Sequence, residues 1–209
     1  MNDMKTSLRY FFCVGLALTL LTTSCGSIKT LHVWKDDGYQ QRLRKVLVIA
    51  VAEQEFMQKH FENVLCERLA SRGIEATPGN KVFPQAKGKF DREAILAKVK
   101  ELGISSVLIA RSVNKQEVSQ LAHGDIYIAP SAFQQDWYGF YSDSFAVVTL
   151  SGRQYDAEYL TLVTNVYDES SEKLVWSYLS EVKIENSREG AINPFIDRLI
   201  KQLDDSKLL

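Results

Sequence analysis

The 209-residue chain predicts an α/β domain, a βαβαβ parallel unit followed by an antiparallel hairpin and a C-terminal helix, with a mixed sheet covered by helices. Three observations predict it. Lys45 to Ala52, KVLVIAVA, is an unbroken apolar run after its lysine. A strand with no polar alternation is covered on both faces, as a central strand of a mostly parallel sheet is. From there to Val113, apolar runs alternate with stretches of helical period, which requires right-handed crossovers between parallel strands. Beyond residue 156, two long apolar runs flank Glu169-Ser170-Ser171-Glu172, a hairpin signal.

Before the central run, Met1 to Tyr10 carries Lys5 and Arg9, and Phe11 to Leu21 is apolar apart from Gly15 and Thr19. Small residues then lead to Cys25. A basic head, a short apolar core and a small-residue cleavage zone are the marks of a secretory signal peptide, residues 1–24. A membrane span needs roughly 20 apolar residues, and this run falls short. Leu21-Thr22-Thr23-Ser24-Cys25 resembles the bacterial lipobox, whose cysteine receives lipid after cleavage. Ser24 and Cys25 fit that pattern, while Thr22 stands where the family prefers leucine. The resemblance implies lipid attachment at Cys25. With Gly26 and Ser27 following and no aspartate, it implies outer-membrane sorting and a domain on the periplasmic face. One acyl chain anchors only marginally, so stable attachment takes several chains on that residue.

Residues 25–44 read as a lipidated N-terminus, a tether and a first short strand, Lys29 to Trp34, closed by a turn at Asp36-Asp37-Gly38. Residues 45–209 form the domain proper. Glu53 to Arg72 is expected to be helical, with Met57, Phe61, Val64, Leu65 and Leu69 on one face and Gly73 as its stop. Ile74 to Thr77 is a second strand of the parallel unit, and Pro78-Gly79-Asn80 and Pro84 to Lys89 are loop by composition. Asp91 caps a helix over 92–102, and Ser106 to Val113 is the third strand of that unit. Ala157 to Asp168 and Lys173 to Glu185 make the hairpin. Asn193-Pro194 reads as N-cap and first residue of a helix whose stripe is Phe195, Ile196, Leu199, Ile200 and Leu203.

Charge and cysteine content exclude several classes. The chain holds 25 basic and 26 acidic residues; Asp3, Lys5 and Arg9 leave with the leader, so the remainder has 23 and 25. No basic excess is available to neutralise phosphates, and nucleic acid is not an expected partner. With Cys13 in the leader and Cys25 lipidated, Cys66 has no partner for an intramolecular disulfide.

The chain resembles a family of uncharacterised proteobacterial lipoproteins. The residues that carry this are Val33-Trp34-Lys35-Asp36, the run Lys45 to Val51, Phe61-Glu62, Arg72-Gly73-Ile74-Glu75-Ala76 and Lys173-Leu174-Val175-Trp176-Ser177. These are mainly core and turn positions, and the resemblance implies no activity. The order of elements is also similar to the anticodon-binding-like α/β fold of the N-terminal domain of TolB, of the lipoprotein activators of penicillin-binding proteins and of the curli secretion channel. Folds do not fix functions.

Site chemistry is sparse. The turn after Val51, Ala52-Glu53-Gln54-Glu55, has no phosphate-binding glycines, and its glutamates would repel a phosphate. His32, His60 and His123 lack ligand spacing, so no metal or cofactor is expected. On a helix, Cys66 and His60 stand 120° short of two full turns apart and do not face each other. Cys66 is expected as a small, partly buried hydrophobe.

The least regular stretch, 114–156, is also the most aromatic, and Trp137-Tyr138-Gly139-Phe140-Tyr141 is its densest point. These rings either fold back on the sheet as a satellite core or offer a contact surface formed by Trp137, Tyr138, Phe140 and Tyr141. The reading is a non-catalytic binding or assembly module, held to the membrane through Cys25, with a protein partner in the envelope. The alternatives are a subunit of an oligomeric envelope complex such as a secretion channel, which makes a homo-oligomer compatible with the sequence, and third an unrecognised hydrolase or transferase.

Overall fold

The computed structural model describes residues 28–84, 92–113, 138–141, 159–184 and 187–209. The strands are β1 (Ile28–Lys35), β2 (Lys45–Val51), β3 (Glu75–Pro78), β4 (Ser106–Val113), β5 (Tyr159–Asp168) and β6 (Leu174–Lys183). The helices are α1 (Glu55–Ala70), α2 (Gly79–Val82), α3 (Arg92–Leu102) and α4 (Ile192–Asp205). The six strands form one open mixed sheet in the order β1-β6-β5-β4-β2-β3. β2 is parallel to both β3 and β4, as the βαβαβ pattern requires. The pairs β4–β5, β5–β6 and β6–β1 are antiparallel.

The KVLVIAV strand stands one place in from an edge, not at the middle of the sheet. It is covered laterally by β3, only four residues long. Its faces divide as the pleat dictates. Val46, Val48 and Ala50 join a core with Phe61, Leu65 and Leu69 of α1 and Phe195, Ile196 and Leu199 of α4. Leu47, Ile49 and Val51 join a second core on the opposite face with Ile95 and Val99 of α3. α1 and α4 thus lie side by side on one face, and α3 covers part of the other.

The register defines two ends. At the upper end β2, β4 and β6 finish while β1 and β5 begin: Val51 pairs with Arg111, Val113 with Thr161, Tyr159 with Lys183 and Ile28 with Val182. At the lower end, three helices stop in one way. Gly73 N–H donates to Ala70 O at 3.0 Å and Ile74 N–H to Leu69 O at 3.1 Å. Gly103 and Ile104 repeat this on Lys100 and Val99, at 3.1 and 2.9 Å, and Lys207 and Leu208 on Asp204 and Leu203, at 2.8 and 3.0 Å. This is the Schellman closure, in which a left-handed residue lets the next apolar side chain fold onto the helix end. The left-handed φ angles are 78° at Gly73, 63° at Gly103 and 58° at Lys207.

Three expected boundaries move. α1 spans Glu55–Ala70, two residues shorter at each end than expected. Pro78-Gly79-Asn80 is not loop: Gly79 opens α2, with Pro78 as its extended N-cap. α4 begins at Ile192 with Ala191 as N-cap, so Asn193-Pro194 lies inside the first turn. Proline is tolerated there because first-turn N–H groups have no intrahelical acceptor. The expected cap at Asp91 lies outside the described residues.

Candidate functional site

At the upper end the sheet face beneath α1 and α4 loses bulk. Val46 and Val48 on β2 give way to Ala50, and Leu108 on β4 to Ala110 and Ser112; Ala50 and Ala110 are direct neighbours across the strand pair. Two methyl side chains cannot fill the space that valine and leucine fill lower down. A cavity of about 130 Å³ results. Ala50 and Ala110 form its floor, Met57 and Phe61 of α1 and Ile192 and Phe195 of α4 two walls, and Leu160, Leu162 and Val182 a third. Glu53, Gln54 and Arg188 contribute its polar lining together with Arg111 and Ser112. It lies where open α/β sheets place their binding crevices, outside the carboxyl ends of parallel strands. Neither Gln54 nor Ala191, the N-caps of α1 and α4, makes a side-chain capping bond among the described residues.

One buried carboxylate holds this end together. β3 stops at Pro78, opposite Val48, so the next outward N–H of β2, that of Ala50, meets no strand. Glu62 of α1 takes it: Oε1 accepts from Ala50 N–H at 2.9 Å and from Gln58 Nε2 at 3.2 Å. Its Oε2 accepts from Asn80 N–H at 2.6 Å and from Asn80 Nδ2 at 2.8 Å. Burial pushes the Glu62 carboxyl above its ordinary range, against the opposing effect of those donors. Gly79 completes the clamp, because a Cβ there would lie 3.1 Å from Val48 O and 3.2 Å from Glu62 Oε1. The glutamate was visible beside the apolar stripe of its helix; the remote Gly79-Asn80 turn that makes it a clamp carries no such signal.

Cys66, one helical turn after Glu62, is a buried free thiol. Burial first, and then the nearby Glu62 charge, push it up to about 12, the reverse of what a nucleophilic thiolate needs. His60 stacks on Phe56, ring centroids 5.8 Å apart, and His32 lies on β1 with its basicity lowered by desolvation. The structure does not bring them together, and His123 lies outside the described residues.

The aromatic segment has two readings in the sequence, satellite core or contact surface. Residues 138–141 form a helical turn, and Phe140 and Tyr141 are only 3% and 1% exposed, packed into the core on the α3 face. Phe140 lies 6.1 Å from the Tyr167 ring, and the Arg111 guanidinium sits 4.6 Å over it. Tyr138 is half-buried beside Tyr141. Phe140 and Tyr141 thus pack as satellite core. They cover β4 and β5 on the α3 face. Trp137 and Cys25 lie outside the described residues.

No family model matches this sequence, and no curated protein matches it. Solved structures are similar to it at low identity. A PelC variant dodecamer from Paraburkholderia phytofirmans shares 13% identity, covering 82% of this chain and 98% of that one at a TM-score of 0.45. A second PelC dodecamer from that organism shares 14%, with 82% and 96% covered at 0.43. A lipoprotein from Neisseria meningitidis shares 12%, with 78% and 97% covered at 0.41. These likenesses concern the course of the chain alone.

Proposed function

We propose that this chain is a lipid-anchored protein of the outer membrane whose periplasmic domain serves as a non-catalytic binding or assembly module. The leader carries the reading: a basic head and a short apolar core run through small residues into Ser24-Cys25. The described residues agree with such a module in two respects. The buried thiol and the buried carboxylate are both engaged in packing or hydrogen bonds, and the cavity lining is mostly apolar.

Labelling cells with a palmitate analogue tests the anchor. The native chain takes label and Cys25→Ser does not; equal labelling of the two, or none in either, removes the proposal. Crosslinking in cells, followed by identification of the captured protein, tests the module. A discrete partner supports it. A large ring of this chain alone, seen by size in detergent, replaces it with the oligomeric-complex reading, and turnover of an envelope substrate replaces it with an enzyme.

A further inference from the structure

We propose that the upper end of the sheet rests on the bilayer that holds Cys25, and that the cavity between α1 and α4 takes the acyl chain of a bilayer lipid. This rests on the lipid anchor argued above. Three observations place lipid at this end.

The first is the tether. Ile28 opens β1 and pairs with Val182, which lines the cavity. Three residue steps separate Cys25 from Ile28, and an extended chain covers at most ~3.6 Å per step, so the anchor keeps Ile28, the β1 corner of this end, within roughly 11 Å of the lipidated residue. That is about the diameter of one helix, roughly 10–12 Å. A folded partner has no room between this corner and the membrane, whereas hydrocarbon does.

The second is the exposed side chains. Phe56 is 57% exposed in the first turn of α1, and Tyr159 is 42% exposed as the first residue of β5. Both stand at the upper end, Phe56 two residues after Gln54 and Tyr159 one before Leu160 of the cavity lining, although neither ring lines the cavity. Aromatic rings with one apolar and one wet side suit the headgroup layer. Leu31, 37% exposed, lies on the edge strand that leads from the tether.

The third is the size and lining of the cavity. At about 130 Å³ it is close to the ~150 Å³ apolar cavity that stays dry and admits a benzene-sized guest. It therefore admits a few methylenes, the tip of an acyl chain, with the rest of the lipid left in the bilayer.

The test uses the full lipidated chain in vesicles of phosphatidylethanolamine and phosphatidylglycerol, part of the phosphatidylethanolamine carrying a photoreactive diazirine near the end of one acyl chain. After irradiation, adducts are expected on peptides containing Met57–Phe61 or Leu160–Leu162. Ala110→Leu, which fills the cavity from the floor, should lower their yield several-fold; where that variant does not fold, Leu162→Phe fills it from the wall. Adducts confined to residues 25–34, or unchanged in the filled variant, overturn the proposal. Nitroxides at Phe56→Cys and Tyr159→Cys should be relaxed more by oxygen than by a water-soluble nickel chelate, and one at Asp37→Cys, at the far end of β1, the reverse. Equal aqueous exposure at all three positions also overturns it. A mature chain without lipid on Cys25 by intact mass defeats the anchor itself; a lipidated chain with no adduct in the cavity defeats only this inference.

Discussion

The two ends of this sheet are closed by different means. At the lower end, α1, α3 and α4 each finish in the same pair of backbone hydrogen bonds, and an apolar residue folds over each stop: Ile74 on Leu69, Ile104 on Val99, Leu208 on Leu203. The β5–β6 turn is tied there by Asp168, whose Oδ2 accepts from Ser170 Oγ, Ser171 N–H and Ser171 Oγ at 2.7 to 2.9 Å. The upper end has alanines where the lower has valine and leucine, a cavity, exposed rings and a single ionisable clamp. The backbone closures are indifferent to pH and occupancy, whereas the two carboxylates, Asp168 below and Glu62 above, answer to pH and only the upper end has a cavity to fill.

A pair of truncations separates the ends most strongly. Leu69→Ala, at the closed end where Leu69 is fully buried, should cost about 2–5 kcal/mol. For a domain of this size that lowers Tm by on the order of 10 °C. Met57→Ala, beside a space already empty, should cost about 1 kcal/mol or less, since little packing is lost. Equal losses in thermal melts would mean that the two ends are packed alike.

Glu62→Gln comes next. Four donors converge on the two carboxylate oxygens, so an amide must set its NH2 against at least one of them. The expected loss is about 1–3 kcal/mol by urea unfolding. An unchanged midpoint would show that the clamp does not hold β2 and α2 together.

The two carboxylates should also titrate in opposite senses. Burial raises the Glu62 carboxyl above 4.5, so its contribution is fully present below that value and is lost as pH rises through the raised one. For Asp168, burial pulls upward but the Ser170 and Ser171 bonds outweigh it, and the carboxyl falls below 3.8. Its contribution is present above 3.8 and is lost as pH falls through the lowered value. Urea midpoints measured across the acid range should show Glu62→Gln losing more, relative to the native chain, near 4.5 than near neutrality. Asp168→Asn should instead lose less in acid than near neutrality. A common slope in both variants would contradict these assignments.

The smallest effect is expected at Lys207, the one helix stop of the three held by a residue with a Cβ. Lys207→Gly relieves left-handed strain and should stabilise by about 0.5 kcal/mol, net of the entropy that glycine loses. A loss of stability would mean that the lysine side chain contributes at that corner.

Much of this architecture was legible from residue order. Unbroken runs at 45–51 and 106–113 identify strands covered on both faces, and Gly73 and Gly103 stop their helices where glycine after an apolar stripe predicts. These are local signals, set by the period of the side chains and by the backbone conformations glycine admits. The Pro78-Gly79-Asn80 segment misled because proline and glycine punctuate turns in general; here the same pair opens a short helix against Glu62. Aromatic density at 137–141 could not separate core from surface, since Phe140 and Tyr141 find their cover only when β4 and β5 pair and bring Arg111 and Tyr167 together.

By itself, the sequence determined the leader pattern ending at Cys25, the α/β class and the elements with strong periodicity, because each depends on residues adjacent in the chain. The tertiary structure alone decided that β1 joins the far edge of the sheet, that Ala50 and Ala110 meet beneath a cavity, and that Glu62 captures a turn 18 residues away. Each of those depends on strand order and register, and pairing across the sheet leaves no trace in the period of any single segment.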